Sequence, residues 1–224
     1  MIATLFSGGK DSTLALHKVH ALGVKTELLI TMKPENQYSY MFHKVNIDLT
    51  GLQAEALGMK HKMIVTKGEK ERELADLKNA LVDNGVSTLI TGALASEYQK
   101  SRIGSICKDL GIEHIAPLWH MDQEEELREI ARNYHAIVTQ VSAEGLDKSF
   151  LGRRIDAAMI DRLKELNDRY RINMAFEGGE AESFVLDAPL FSKRIEVTRA
   201  HTSWDGSTGQ YSIDEVSMKD KCSD

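Results

Sequence analysis

The sequence predicts an α/β fold, a parallel sheet with helices on both faces, followed by a smaller α+β unit. Three observations carry that expectation. Short apolar runs alternate with segments of helical periodicity through the first half, a glycine closes each of four such segments, and beyond Pro117 the alternation gives way to short strand-like runs.

Taken in order, residues 2–6, 26–32, 62–66, 88–91 and 113–116 read as buried strands, being short apolar runs bounded by turn residues. Between them, residues 11–22, 45–57, 69–84 and 97–110 carry apolar side chains at i, i+3 and i+4, the mark of a helix with one buried face. Gly23, Gly58, Gly85 and Gly111 follow these segments, at the position where a left-handed residue ends a helix. Ligands of such sheets sit beyond the carboxyl ends of the strands, near a switch in strand order. That rule gathers three loops, residues 7–12, 32–43 and 92–102.

Past a soft boundary near residue 117, residues 122–134 read as a helix with Asp122 as N-cap, 136–141 as a strand and 154–170 as a long helix. Strand-like runs follow at 184–186, 195–199 and 211–216, and the turn Trp204-Asp205-Gly206-Ser207 pairs the last two antiparallel. Residues 219–224 read as a frayed tail. The expected domains are therefore 1–117 and 118–224.

A chain of 224 residues with 42% hydrophobic content can bury a core unaided. No apolar stretch nears the roughly 18 residues of a membrane span, and no cationic leader precedes the first strand, so a cytosolic protein with no membrane partner is expected. The net charge of −6 argues against a nucleic-acid partner, and the pairs Arg153-Arg154 and Lys193-Arg194 read as solvated faces. Cys107 and Cys222 form no C-x-x-C, which weakens a zinc or redox role, and Cys107 looks like a helix core residue. Assembly into a homo-oligomer is left open.

The string Ser7-Gly8-Gly9-Lys10-Asp11-Ser12 joins the first strand to the first helix. The leading N–H groups of a helix carry roughly half a positive charge, and two glycines let the backbone close on an anion. Lys10 adds a cation, and Ser7 and Ser12 add hydroxyls. The adjacent glycines exclude a Walker A loop, which needs four residues between its first glycine and its Gly-Lys pair. Asp11 beside a polyphosphate is repulsive unless a divalent cation bridges the two, so it argues for a Mg²⁺-nucleotide. The alternative is an ordinary glycine turn capped by Asp or Ser; the strand–turn–helix context favours the nucleotide. In the neighbouring loops, Gly92-Ala93 is a small-residue turn open to ribose or substrate, and Met32 either borders an adenine or packs in the core. Arg102 either reaches a phosphate or forms a surface ion pair.

The first string resembles the PP-loop of the ATP pyrophosphatases, which cleave ATP between its α and β phosphates. A second string, Glu177-Gly178-Gly179-Glu180-Ala181-Glu182-Ser183, packs three carboxylates and two glycines ahead of a strand. Such crowding calls for a positive neighbour, unless the turn is simply solvated. With its flanks, residues 175–191, it is similar to the signature of the diphthine-ammonia ligase family, a branch of the PP-loop superfamily. The resemblance runs over nearly the whole chain and includes Ser39-Tyr40-Met41-Phe42-His43, Gly92-Ala93, Pro117-Leu118-Trp119 and residues 145–153. The family commonly carries an aromatic where Ala181 stands and threonine where Ser183 stands; the match weakens after Phe191.

The resemblance implies a Rossmann-like, HUP-type nucleotide domain in residues 1–117 and a substrate-binding or catalytic α+β domain in 118–224. It implies amidation of diphthine on translation elongation factor 2, with ATP and Mg²⁺ as cofactors, ammonium as nitrogen source and an acyl-adenylate intermediate. On that reading Ser7, Gly8, Gly9, Lys10, Asp11 and Ser12, with Met32, Gly92 and Ala93, hold the nucleotide, and Asp11 helps hold the metal. Lys10, Asp11, Glu177, Glu180 and Glu182 are the expected catalytic residues. His43, Arg102, Trp119, Gly178 and Gly179 are expected at the substrate, where acidic side chains and the rings of Trp119 or Tyr40 would meet its trimethylammonium group. Alternatively the carboxylates bind or deprotonate ammonium. The competing readings are a transfer-RNA-modifying PP-loop enzyme and a non-catalytic ATP-binding module.

Overall fold

Period-2 alternation along the second strand sorts the helices of the N-terminal unit onto two faces. In the computed structural model, which describes residues 1–35, 45–67 and 70–221, five parallel strands form one sheet. They are β1 (Ile2–Leu5), β2 (Leu28–Pro34), β3 (Lys60–Thr66), β4 (Thr88–Ile90) and β5 (Glu113–Ile115), in the order β3-β2-β1-β4-β5. The intervening helices are α1 (Lys10–Ala21), α2 (Thr50–Leu57), α3 (Lys70–Asp83) and α4 (Glu97–Leu110). Leu28, Ile30 and Met32 face one side, with Ala3 and Leu89, and pack against Leu77 and Leu81 of α3 and Ile103, Ile106 and Cys107 of α4. Leu29 faces the other side with Phe6, against Leu16 of α1 and Ala54 of α2. The two-faced parallel sheet expected from the sequence is therefore the one observed.

The order places β1 between β2 and β4, so the chain leaves β1 in one direction for β2 and later returns to its other side for β4. Loops leaving β1 and β4 at their carboxyl ends diverge there, which opens the crevice that receives ligands in doubly wound sheets. Gly58 closes α2 in the left-handed region at φ 64°, and Gly23, Gly85 and Gly111 also have positive φ, as their positions in the sequence lead one to expect. Segment 45–57 is not one helix: a 3-10 turn, Ile47–Leu49, precedes α2, and Asn46 before it is itself left-handed.

The chain divides into two compact units, Met1–His120 and Met121–Asp224. The second holds α5 (Gln123–Asn133), β6 (His135–Val141), α6 (Ala157–Tyr170), β7 (Ala181–Asp187), β8 (Lys193–Trp204) and β9 (Gly209–Asp220). Its sheet is antiparallel in the order β7-β6-β9-β8. Asp122 caps α5, its Oδ1 accepting from the N–H groups of Glu124 and Glu125, each at 3.0 Å, and Asp156 caps α6 through the N–H of Met159 at 2.9 Å. The turn at Asp205 joins β8 to β9 through bonds from the N–H groups of Ser207 and Thr208.

The expected frayed tail needs correction. β9 runs on to Asp220, and Lys221 beyond it donates to the Ala188 carbonyl at 2.6 Å and pairs with Asp187 at 2.6 Å. The strand partner β8 and this ion pair hold the segment, which charge-rich composition alone had made look loose. Residues 222–224, with Cys222, lie outside the described residues.

Candidate active site

The N-terminal candidate begins where β1 ends. Gly8 takes φ +77°, and Gly9 caps α1 in extended conformation, so the chain turns sharply and presents a helix start at the crevice. The loop is laced to itself. Ser7 Oγ and Ser12 Oγ are 3.2 Å apart, Ser12 Oγ donates to the Gly9 carbonyl at 3.2 Å and Thr13 Oγ1 to the same carbonyl at 2.9 Å. Lys10 is 1% exposed, and its Nζ lies 2.5 Å from Asp11 Oδ1. A buried ammonium requires such a partner, because desolvation of an uncompensated charge costs several kcal/mol.

The second loop meets the first at Gly92. A Cβ there would lie 2.7 Å from both the Asp11 carbonyl carbon and the Ser12 nitrogen. The close approach inferred for Gly92-Ala93 is thus made by the backbone of α1, and Ala93 is buried beside it. The Met32 side chain belongs to the core cluster and is 2% exposed, so an adenine contact through that side chain is not what the structure offers. Arg102 lies half-buried on α4. His43 and Tyr40 lie outside the described residues.

Behind the glycines sit residues to which no role was assigned from the sequence. Gln53 of α2 is fully buried, and its Nε2 donates to the Gly8 carbonyl at 2.9 Å. Thr31 of β2 donates to the Phe6 carbonyl at 2.7 Å, and His61 Nε2 stands 2.9 Å from the same hydroxyl. A matching pair occurs on the other flank of β1, where His114 Nε2 lies 2.9 Å from Thr91 Oγ1. Burial pushes both imidazoles below their ordinary value of 6.5, with Lys100 adding to the effect at His114, so both stay neutral. The signal was present in the sequence: Thr50 and Gln53 interrupt the otherwise apolar i, i+3, i+4 stripe of α2.

Trp119 is half-buried, with the Lys100 ammonium 3.6 Å from its ring centroid and the His120 ring tilted at 54° to it, the two centroids 4.7 Å apart. Its face therefore already holds a cation contributed by the chain.

The acidic segment belongs to the second unit. Glu180 Oε1 accepts from the Asn173 N–H and Oε2 from the Gly178 N–H, each at 2.9 Å, and Ser142 Oγ donates to the Gly179 carbonyl at 2.6 Å. The positive neighbour expected for this crowded loop is, at Glu180, a pair of backbone dipoles. A Cβ at Gly178 would meet Glu180 Oε1 at 2.6 Å and displace that carboxylate from its two N–H donors, and Gly179 takes φ +84°. Glu177 is half-buried, while Ala181 and Glu182 lie on β7 opposite Val141 and Gln140. Residues 145–153 form a structural knot: Asp147 accepts from the Ser149 N–H at 2.8 Å, and Arg162 binds Ser149 Oγ at 2.9 Å while stacking on Phe150.

A cavity of about 640 Å³ in the same unit is lined by Arg132, His135, Arg154, Asp187, Arg194 and Tyr211, among others. Its charges are largely compensated within the protein. Arg194 pairs with Glu196 at 2.7 Å, Asp187 with Lys221, and Arg154 donates to the carbonyls of Ala131 and Tyr134 at the end of α5.

Among the described residues no group of three or more His, Cys, Asp or Glu forms a metal cage, and no helix is long and apolar enough to cross a membrane. Mg²⁺ is usually held through one or two carboxylates plus nucleotide phosphates, and the carboxylate beside the glycine loop is that of Asp11, paired with Lys10.

Comparison with known proteins agrees with this arrangement. The family model of the diphthamide synthase N-terminal domain matches residues 1–114, and that of the C-terminal domain matches residues 122–218. The diphthine–ammonia ligase of Homo sapiens is 34% identical over 220 residues, covering 88% of this chain and 82% of that protein. The Danio rerio protein of the same name is 32% identical over 90% of this chain and 88% of its own length. The Schizosaccharomyces pombe protein is 34% identical over 87% of this chain but only 35% of its greater length. A solved structure described as a predicted subunit of tRNA methyltransferase from Methanocaldococcus jannaschii aligns with a TM-score of 0.45 and 21% identity, over 84% of this chain and 97% of that one. A likeness that loose bears on neither activity nor substrate. Two domain models in series and a relative a third identical over 82% of its own length establish that this chain belongs to the diphthamide synthase family of diphthine–ammonia ligases.

Proposed function

We propose that the chain amidates diphthine on translation elongation factor 2 in the cytosol, using ATP and ammonium. The observation that carries this reading is the glycine loop at the strand-order switch, with its helix start, buried Lys10 and neighbouring Asp11. A carboxylate at neutral pH is a poor electrophile, so amide formation needs activation. The diphthine carboxylate oxygen attacks the α-phosphorus, the bond to the bridging oxygen breaks, and pyrophosphate departs. Ammonium gives one proton to a carboxylate of the acidic segment, the ammonia so formed attacks the acyl carbon, and AMP leaves with the bonding pair as the nitrogen sheds its second proton to water.

In this scheme the N–H groups of Gly8, Gly9 and the first turn of α1 stabilise the charge developing on pyrophosphate. Lys10 neutralises it, Ser7 and Ser12 supply hydroxyl contacts, and the carboxylate of Asp11 would hold Mg²⁺, which adds further charge stabilisation when bound. Gly92 and Ala93 fix the loop from the β4 side, the backbone beside Met32 borders the adenine, and Arg102 faces negative charge on nucleotide or substrate. In the acidic segment Glu180 braces the loop, with Gly178 and Gly179 permitting its fold, while Glu177 and Glu182 receive the trimethylammonium group or the ammonium. Trp119 would take the quaternary cation only in place of Lys100, which holds its face in the structure.

Purified protein given Mg²⁺, ATP, ammonium and unamidated elongation factor 2 should release AMP and pyrophosphate only when that factor is present. Release of ADP would overturn the scheme; RNA-dependent AMP release would indicate a transfer-RNA-modifying enzyme, and tight ATP binding without turnover a binding module. Lys10→Ala should abolish ATP–pyrophosphate exchange, whereas undiminished exchange would remove Lys10 from the chemistry.

A further inference from the structure

The carbonyls on either side of Ser7 are both held from behind. Phe6 O accepts from Thr31 Oγ1 at 2.7 Å, and Gly8 O accepts from Gln53 Nε2 at 2.9 Å. In a planar trans peptide the C=O and the following N–H point in opposite directions. Drawing the Phe6 carbonyl back therefore turns the Ser7 N–H the other way, and drawing the Gly8 carbonyl back does the same for the Gly9 N–H. In the structure these N–H groups lean on the loop's own hydroxyls, Ser7 N–H on Ser12 Oγ at 3.3 Å and Gly9 N–H on Ser7 Oγ at 3.4 Å, long bonds that an arriving phosphate oxygen would replace.

The arrangement behind the loop is fully buried and polar in a layer where apolar packing would be easier to build. Gln53 and Thr31 are each 0% exposed. Thr31 gives its only proton to Phe6 O, so it accepts from His61 Nε2–H at 2.9 Å, which fixes that tautomer. The same N–H lies 3.4 Å from Thr50 Oγ1, whose proton goes to the Ile47 carbonyl at 2.8 Å. The fit at Gly8 is equally close: a Cβ there would lie 2.3 Å from Gln53 Oε1. Gly8 and Gln53 thus form a matched pair, the glycine admitting the amide and the amide holding the glycine at φ +77°.

We propose that Gln53 is a positioning residue for the phosphate loop, holding the Gly8 carbonyl back so that the Gly9 N–H faces the departing pyrophosphate. Gln53 touches neither substrate nor reacting atoms, and it acts by setting the direction of a peptide plane. Preorganised donors of this kind lower the reorganisation needed when charge develops. The proposal rests on the reading of residues 7–12 as a phosphate loop, and its test separates the two.

The full chain is titrated calorimetrically with inorganic pyrophosphate and with ATP, in the presence of Mg²⁺. Gln53→Leu removes the donor at nearly constant volume and should weaken both ligands about tenfold, the loss of one oriented hydrogen bond. In turnover it should raise KM for ATP while KM for the protein substrate stays unchanged. Gln53→Glu can donate to Gly8 O only as the neutral acid, so its deficit relative to wild type should shrink as pH falls, and the leucine variant should show no such recovery. Gln53→Met serves if leucine does not fold. A folded variant with the wild-type circular dichroism spectrum and wild-type pyrophosphate affinity would overturn the role of Gln53. Failure of the wild-type chain itself to bind pyrophosphate would instead overturn the phosphate-loop reading, and this inference with it.

Discussion

Single atoms decide the behaviour of the two loops. Adding one methyl at Gly92 would push into the Asp11 carbonyl carbon and the Ser12 nitrogen, both backbone atoms that cannot swing aside. Gly92→Ala should therefore cost about 1–3 kcal/mol of stability and weaken ATP binding, as read from chemical denaturation and calorimetry. Gly23→Ala is the control, because nothing lies near its Cβ and only its φ of +84° is unfavourable; it should cost about 1 kcal/mol and leave ATP affinity alone. At Glu180 each carboxylate oxygen accepts a backbone N–H, whereas a glutamine offers one acceptor and turns an NH₂ toward the other donor. Glu180→Gln should lose about 1–3 kcal/mol of stability, while Glu177→Gln and Glu182→Gln should lose amidation with little change in thermal midpoint. Equal loss of stability at all three would mean that the whole segment is a brace.

Secondary-structure elements show why part of the site was legible and part was not. Helix ends were marked by glycine and by Asp122, because left-handed φ and N-cap geometry admit few residue types, and those ends stand where expected. The sharp turn at Gly8 and Gly9 into α1 was legible for the same reason. β7 was read too short, since Ala181, Glu182 and Ser183 are polar or small and only their pairing with Val141, Gln140 and Val138 makes them strand. Gln53 shows in the sequence only as a polar break in the stripe of α2, while its partner, a carbonyl 45 positions away, is one that local periodicity does not reveal. The same elements set a pH dependence. His61 and His114 are half-buried and held below 6.5 by that burial, with Lys100 adding to the effect at His114. For these residues the unfolded chain binds protons first, so stability is fully present above about 6.5 and declines as pH falls toward the folded-state values. Urea midpoints measured downward from pH 7 should follow that decline, and a flat profile would show that these imidazoles carry no such penalty.

At the scale of the whole molecule, each unit has its own sheet and core, with Leu89 and Ile30 at the centre of one and Val138, Phe150 and Phe184 buried in the other. A ligand confined to one of them should stabilise that one. Scanning calorimetry with ATP at about 100 times its dissociation constant should add about 2.7 kcal/mol to the unit holding the glycine loop. A fragment assigned by mass spectrometry after pulse proteolysis identifies which unit is protected, and protection of residues 121–221 alone would contradict the placement of ATP. The position of β1 has one more consequence. It is made before both of its neighbours, pairing with Leu28–Ile30 on one side and Thr88–Ile90 on the other. One edge of β1 stays unpaired until β4 is made, so a nascent chain arrested before residue 88 should be unable to retain nucleotide.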